Sequence, residues 1–129
     1  MKAQTRRVFD VGIYVVVAAT VVQFFLAGLG IFVDASLFFW HTTVNPFLVG
    51  LLPLVLVPVG WYAGIDRRTL LLTASLFGLV VLQSLFLFPY HMDAEGPLRV
   101  ISALHVLNAV VIFWVAVHLL DRVRHPVAA

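Results

Sequence analysis

The stretch VGIYVVVAATVVQFFLAGLGIFV, residues 11–33, contains no charged side chain. An α-helix rises 1.5 Å per residue, so about 20 apolar residues cross a hydrocarbon core of about 30 Å. The stretch is long enough to do so and too long for the apolar region of a signal peptide, about 7–15 residues. Gly30-Ile31-Phe32 is also a poor cleavage site. It therefore reads as a membrane span. Three further uncharged runs follow, Ala35–Ile65, Thr69–Met92 and Val100–Leu120.

The composition agrees. Of 129 residues, 63% are apolar and 11% charged, against roughly 25% charged in a soluble domain. A soluble chain of this size has too much surface for its volume to hide that apolar content. In lipid the backbone must satisfy its own hydrogen bonds, so the runs are predicted as helices. The spans are expected near 9–32, 37–62, 69–89 and 98–121, in one domain covering 1–129. Short connections predict an all-α, up-down-up-down four-helix transmembrane bundle with spans one and three on one diagonal and two and four on the other. Pro46, Pro53 and Pro58 each remove a backbone donor from span two and invite a kink. No internal repeat or low-complexity segment is visible. The chain has no cysteine, which excludes disulfides, zinc–thiolate sites and iron–sulfur clusters.

Charge sets the expected orientation. Lys2, Arg6, Arg7, Arg67, Arg68, Arg122 and Arg124 fall on one side, which the positive-inside rule makes cytoplasmic, with both termini inside. Asp34, Asp93 and Glu95 fall outside, and Arg99 is the basic exception there. Trp40 and Tyr90 belong to the outer interface, Trp61 and Tyr62 to the inner. The small positive excess is topological and does not suggest a nucleic-acid surface.

Polar groups inside a membrane are costly and point to function. Here they are Gln23, His41, Asn45, Gln83, His105 and Asn108, all in the outer half by residue count. His41 and His105 are predicted at similar depth on diagonal helices that run in the same direction. Two imidazoles on opposite faces of a haem place their backbones on the order of 12–14 Å apart, about the diagonal of a bundle with neighbours 8–10 Å apart. One haem b, ligated by His41 and His105, is therefore expected in the outer half. Ala19, Gln23, Ala27 and Gly30 form a stripe of mostly small residues on span one, and Gly78 lies on span three. Both offer a flat macrocycle close approach. His91 and Arg99 are placed to receive propionates by charge-assisted bonds, although Arg99 has Glu95 and Asp93 as rival partners. Gln23 and Gln83 can pair with each other or with backbone. Asn45 and Asn108 can orient the imidazoles or bond each other across the bundle.

His118 follows His105 by thirteen residues, about 140° away around the helix. Lacking a second ligand in the inner half, it is expected to cap the inner end near Asp121 or to snorkel. A second haem is not expected. Other readings remain open. The histidines can serve as interhelical polar glue in a scaffold or accessory subunit. His41, His91, His105 and Asp93 can hold a divalent metal. The bundle can also act on, or transport, a lipid-soluble molecule.

Three motifs carry a resemblance. Val22-Gln23-Phe24-Phe25-Leu26-Ala27-Gly28-Leu29-Gly30, Trp40-His41 and Leu104-His105-Val106-Leu107-Asn108-Ala109 resemble a family of small four-helix bacterial and archaeal membrane proteins with no settled function. The resemblance extends more loosely to the haem-binding halves of haem A synthase and to di-histidine membrane b-type cytochromes. It implies a multi-pass protein of a prokaryotic inner or plasma membrane, with His41 and His105 as haem ligands. Two imidazole ligands leave no open iron position, which favours electron transfer or redox sensing over oxygen chemistry, with a quinol or redox protein as partner at the outer face. Haem A synthase carries an acid shortly before a histidine. None closely precedes His41 or His105 within its span, so that enzyme's activity is not implied.

Overall fold

All four uncharged runs fold as helical spans. The structure is a computed structural model and describes residues 1–125; the last four residues of the expected domain lie outside the described residues. The spans are Lys2–Phe32, Ala35–Ala63, Arg67–His91 and Pro97–Arg124, each long and apolar enough to cross a membrane. In each, only 22–28% of the most apolar window is buried inside the bundle. The rest is apolar surface for lipid to cover. Among the described residues there is no strand.

Span one is a single helix, α1 (Lys2–Phe32). It starts seven residues before the expected boundary because hydropathy sees only the lipid-crossing part. Its first turns continue as a polar helix, with Arg6 Nε 3.4 Å from Asp10 Oδ1. The other spans are composite. Span two comprises a 3₁₀ turn (Ala35–Leu37), α2 (Phe38–Val44), a π-helical segment (Asn45–Leu51) and α3 (Leu52–Ala63). Asp34 caps the 3₁₀ turn by accepting from Ser36 N–H at 2.8 Å, and hydrogen bonding from Ser36 holds its carboxyl below the usual range. Pro46 lies in the first turn of the π segment and Pro53 just beyond its end, and they withhold two donors from the α ladder. The wider turn instead sends the Leu52 N–H to the Phe47 carbonyl. Pro58 lies inside α3 without ending it.

Span three is α4 (Arg67–Phe86) followed by α5 (Phe88–His91), and span four is α6 (Pro97–Ile101) followed by α7 (Leu104–Arg124). Each of these breaks lies in the half of the bundle away from the termini, termed the outer half, with the half nearer the termini termed inner.

Spans one and two, two and three, three and four, and four and one pack together, and neither diagonal pair makes comparable contact. The predicted arrangement of diagonals is therefore the observed one. The inner half is sealed by Phe9, Ile13 and Val16 of α1, Leu56 of α3, Leu76 of α4 and Ala116 and Leu119 of α7. Two glycines allow this close packing. A Cβ on Gly12 would lie 2.5 Å from Leu56, and one on Gly60 would lie 2.7 Å from both Phe9 and Leu70.

The inner loop between spans two and three is a helix stop followed by a helix start. Gly64 adopts φ 78°, and Ile65 N–H reaches back to the Gly60 carbonyl at 2.9 Å. Asp66 then caps α4, accepting from Thr69 N–H at 3.0 Å and from the Thr69 hydroxyl at 2.6 Å. Arg122 joins from span four, donating to Thr69 Oγ1 at 2.7 Å and to Asp66 Oδ1 at 2.9 Å. Arg122, expected only as a topological charge, thus ties the end of span four to this loop. The Thr69 hydrogen bond, followed by the Arg122 charge, holds the Asp66 carboxyl below its ordinary value.

Candidate functional site

Above the sealed core, the helix breaks leave a cavity of about 610 Å³ between the outer halves of the spans. Small-molecule sites usually measure about 300–1,000 Å³. Its deepest residues are Thr20 of α1, Val49 of the π segment and Ile112 of α7, and its lining is mostly apolar. Six of the residues expected at the site line it: Gln23, His41, Asn45, Gln83, His91 and His105. Gly30, Arg99 and Asn108 do not.

His105 is positioned by a break in span three. Pro89 cannot donate to the Leu85 carbonyl, and α4 ends at Phe86. The Leu87 N–H turns to Ser84 at 3.2 Å, which frees the Gln83 carbonyl from its i+4 partner. That carbonyl lies 3.0 Å from His105 Nδ1. A carbonyl only accepts, so Nδ1 donates and carries the proton, leaving a lone pair on Nε2. Asn108, one turn further along α7, secures the acceptor's side chain. Its Nδ2 donates to Gln83 Oε1 at 2.6 Å and to the Leu79 carbonyl at 2.8 Å.

The other wall repeats this scheme with different elements. His41 of α2 has Nδ1 3.1 Å from the Gln23 carbonyl of α1. Gln23 lies in mid-helix, however, where its carbonyl already serves the α ladder. Its side chain also competes for the imidazole. With the amide nitrogen toward His41, it donates to the His41 carbonyl at 3.0 Å and reaches His41 Nδ1 at 2.9 Å. Its oxygen accepts from Asn45 N–H at 3.1 Å. A bond to the Gln23 carbonyl needs the proton on Nδ1, whereas a bond from the amide needs it on Nε2. Asn45 differs from Asn108 too. It lines the cavity, and among the described residues its side chain makes no hydrogen bond. Gln23 and Gln83 therefore pair with their own neighbouring spans rather than with each other, and Asn45 and Asn108 do not meet.

Phe38, Tyr90 and His91 line the outer end. The Phe38 ring lies against Gly30, where an added Cβ would come within 2.6 Å of it. It meets the His41 ring edge-on at 6.3 Å. Gly30 thus seats an aromatic wall residue, while Ala27 and Ala109 are the small residues on the cavity surface. Gly78 faces outward with nothing within 4 Å of an added Cβ. The Arg99 guanidinium sits 4.6 Å from the centroid of the Tyr90 ring. Among the described residues it forms no ion pair with Asp93 or Glu95.

No group of three histidine, aspartate or glutamate side chains gathers as a metal site among the described residues. The four-ligand divalent site of His41, His91, His105 and Asp93 is therefore not assembled. His118 stacks flat on Trp114, with ring centroids 5.7 Å apart and planes at 7°. His125, not His118, approaches Asp121, at 3.9 Å.

The carbonyl that orients each histidine belongs to the preceding span, so sequence periodicity within one helix could not reveal it. Pro89 was the available signal on the Gln83 side, because a proline at that position predicts a freed carbonyl nearby. No curated protein and no solved structure matches the chain. A family of unknown function, DUF6220, matches residues 23–88, just over half of the chain, taking in Gln23, His41, Asn45 and Gln83 and ending before His105. The chain, an all-helical bundle of four membrane-spanning lengths, belongs to the DUF6220 family.

Proposed function

We propose that the cavity holds one b-type haem between Nε2 of His41 and Nε2 of His105, and that the protein serves electron transfer or redox sensing in the membrane. The observation that carries this reading is the orientation of the imidazoles. Both rings line one cavity, each with Nδ1 against a backbone carbonyl of the preceding span. An Nδ1–H held by a carbonyl is the usual outer support of a metal-bound histidine, fixing the ring and raising the basicity of Nε2. The apolar lining, interrupted by few polar groups, suits a macrocycle with a hydrophobic body. His91 at the outer end, with Arg99 held nearby on Tyr90, provides the cationic and donor groups that propionates need.

A bound haem supplies a one-electron couple. This chain's residues supply the rest. His41 and His105 would hold the haem iron. Gln23 and Gln83 orient them. Val49, Ile112 and the sealed core beneath exclude water from the inner side. The looser likeness to haem A synthase halves and di-histidine cytochromes belongs to this reading. So does a quinol or redox-protein partner at the outer face. The arginine-rich side of the bundle is proposed as cytoplasmic, with both termini inside, in a prokaryotic inner or plasma membrane.

One residue favours a second role. Asn108 points away from the cavity into hydrogen bonds with span three. It acts as interhelical glue, as a membrane scaffold would use it.

Purification in detergent from haem-supplied cells, followed by absorption spectra, tests the proposal. A sharp Soret band with split α and β bands on reduction is expected, altered by His41→Ala and by His105→Ala. A colourless protein would end the haem reading. Unchanged spectra in both variants would remove these two residues as ligands.

A further inference from the structure

We infer that the two histidines are not equivalent: His105 is the fixed anchor of the group in the cavity, and His41 is its exchangeable arm, with Asn45 beside it lining the space a small polar ligand would enter. The identity of the anchored group as haem rests on the proposed function. The inequality itself rests on the geometry of the two walls.

His105 has one partner for Nδ1, the Gln83 carbonyl, and that carbonyl is free of competing helical donors because the Leu87 N–H bonds Ser84. The Gln83 side chain is locked by Asn108, which is itself tied to the Leu79 carbonyl. His105 has one satisfied tautomer, and it keeps the lone pair on Nε2.

His41 faces a conflict at the same atom. The Gln23 carbonyl calls for a proton on Nδ1, and the Gln23 amide, 2.9 Å away, calls for the other tautomer. With the proton on Nε2, the ring has no lone pair to offer the cavity. The backbone under His41 is also less regular. α2 is a seven-residue helix between a 3₁₀ turn and the π segment, whereas His105 lies at the start of a 21-residue helix. Asn45, four residues after His41 where Asn108 follows His105 by three, lines the cavity and makes no side-chain hydrogen bond among the described residues. An unpaired amide in an apolar wall is stabilised by a ligand that can donate to it or accept from it. In such an exchange His41 would give up its place on a bound haem to a small neutral ligand, and Asn45 would be available to that ligand's polar end. No electron or proton is transferred in this exchange. The arrangement favours sensing of a small ligand over simple electron relay.

Two measurements test this separately. The first uses haem-depleted protein in detergent with ¹⁵N-labelled histidine, in which long-range ¹H–¹⁵N correlations report the tautomers. His105 should show the Nδ1–H form alone. His41 should show both, and Gln23→Leu should collapse it to Nδ1–H. A single Nδ1–H tautomer for both histidines in the unmodified chain would overturn the inequality. The second uses reduced, haem-loaded protein exposed to carbon monoxide. His105→Ala should lose haem by about tenfold or more, on the 10–100-fold scale of disrupted metal sites. His41→Ala should retain haem, bind carbon monoxide more tightly, and recover the parent spectrum with added imidazole. Equal haem loss in the two variants, or greater loss from His41→Ala, would refute the assignment of anchor and arm. A colourless parent protein would remove the haem reading while leaving the tautomer measurement decisive for the inequality.

Discussion

Asn108→Leu gives the sharpest test of how the bundle holds its site. Asn108 is 6% exposed, and its Nδ2 donates both to Gln83 Oε1 and to the Leu79 carbonyl. Leucine keeps a branched side chain and removes both bonds. The Leu79 carbonyl retains its helical partner, so the main loss falls on Gln83 Oε1, left without its donor between two helices. Interhelical hydrogen bonds in membranes average about 0.6 kcal/mol and reach about 1.7, and an orphaned buried acceptor costs about 1–3. A destabilisation of about 1–2 kcal/mol is expected, a factor of roughly 5–30 in the folded-to-unfolded ratio. Gln83→Leu should cost less, because Asn108 keeps its bond to Leu79. The double variant should cost less than the sum, since removing both partners leaves no orphan. Titration of detergent-solubilised protein with sodium dodecyl sulfate, followed by circular dichroism and the fluorescence of the three tryptophans, would read these values. Additivity of the two substitutions within about 0.3–0.5 kcal/mol would show that the pair is not coupled and would falsify this account.

Gly60→Ala should destabilise by about 1–3 kcal/mol, because its Cβ would meet the fully buried Phe9 ring. Gly78→Ala, with open space around it, should be neutral or stabilising by about 0.5–1 kcal/mol; equal effects in the same titration would contradict the packing argument. The Asp66 carboxyl is held below its ordinary value of 3.8, so its contribution to stability is complete above that value and is lost as pH falls through the lower, folded-state value. Asp66→Asn retains a capping side chain, and its unfolding midpoint should therefore fall less steeply than the parent's as pH drops below about 4. A parallel decline would exclude Asp66 as the titrating group. The chain has no cysteine, so single cysteines report topology cleanly. Glu95→Cys should react with an impermeant maleimide on intact cells, and Lys2→Cys only after permeabilisation. The reverse pattern would invert the proposed orientation.

Hydropathy and charge were enough to specify four helical spans, because a lipid-exposed backbone has few alternatives and each uncharged run is long enough to cross. The order around the bundle followed from short loops. The polar residues were equally legible, since Gln23, His41, Asn45, Gln83 and His105 stand out in an apolar background and all line one cavity.

The connections among them were decided by tertiary structure. Gln83 offers His105 its backbone carbonyl, not its side chain, because Pro89 ends α4 and redirects Leu87. Asn45 follows His41 by four residues and Asn108 follows His105 by three; one lines the cavity and the other bonds span three. The π segment, with Pro46 inside it and Pro53 just after, re-aims span two, while α7 runs regularly beneath His105. Arg122 appeared as one charge in a pattern until the fold placed it on Thr69 and Asp66. The sequence alone determined the four spans, because lipid demands that each apolar run satisfy its own backbone. Hydrogen bonds between spans depend on helix rotation, a local break and the direction of one carbonyl, and only the packed bundle decides those.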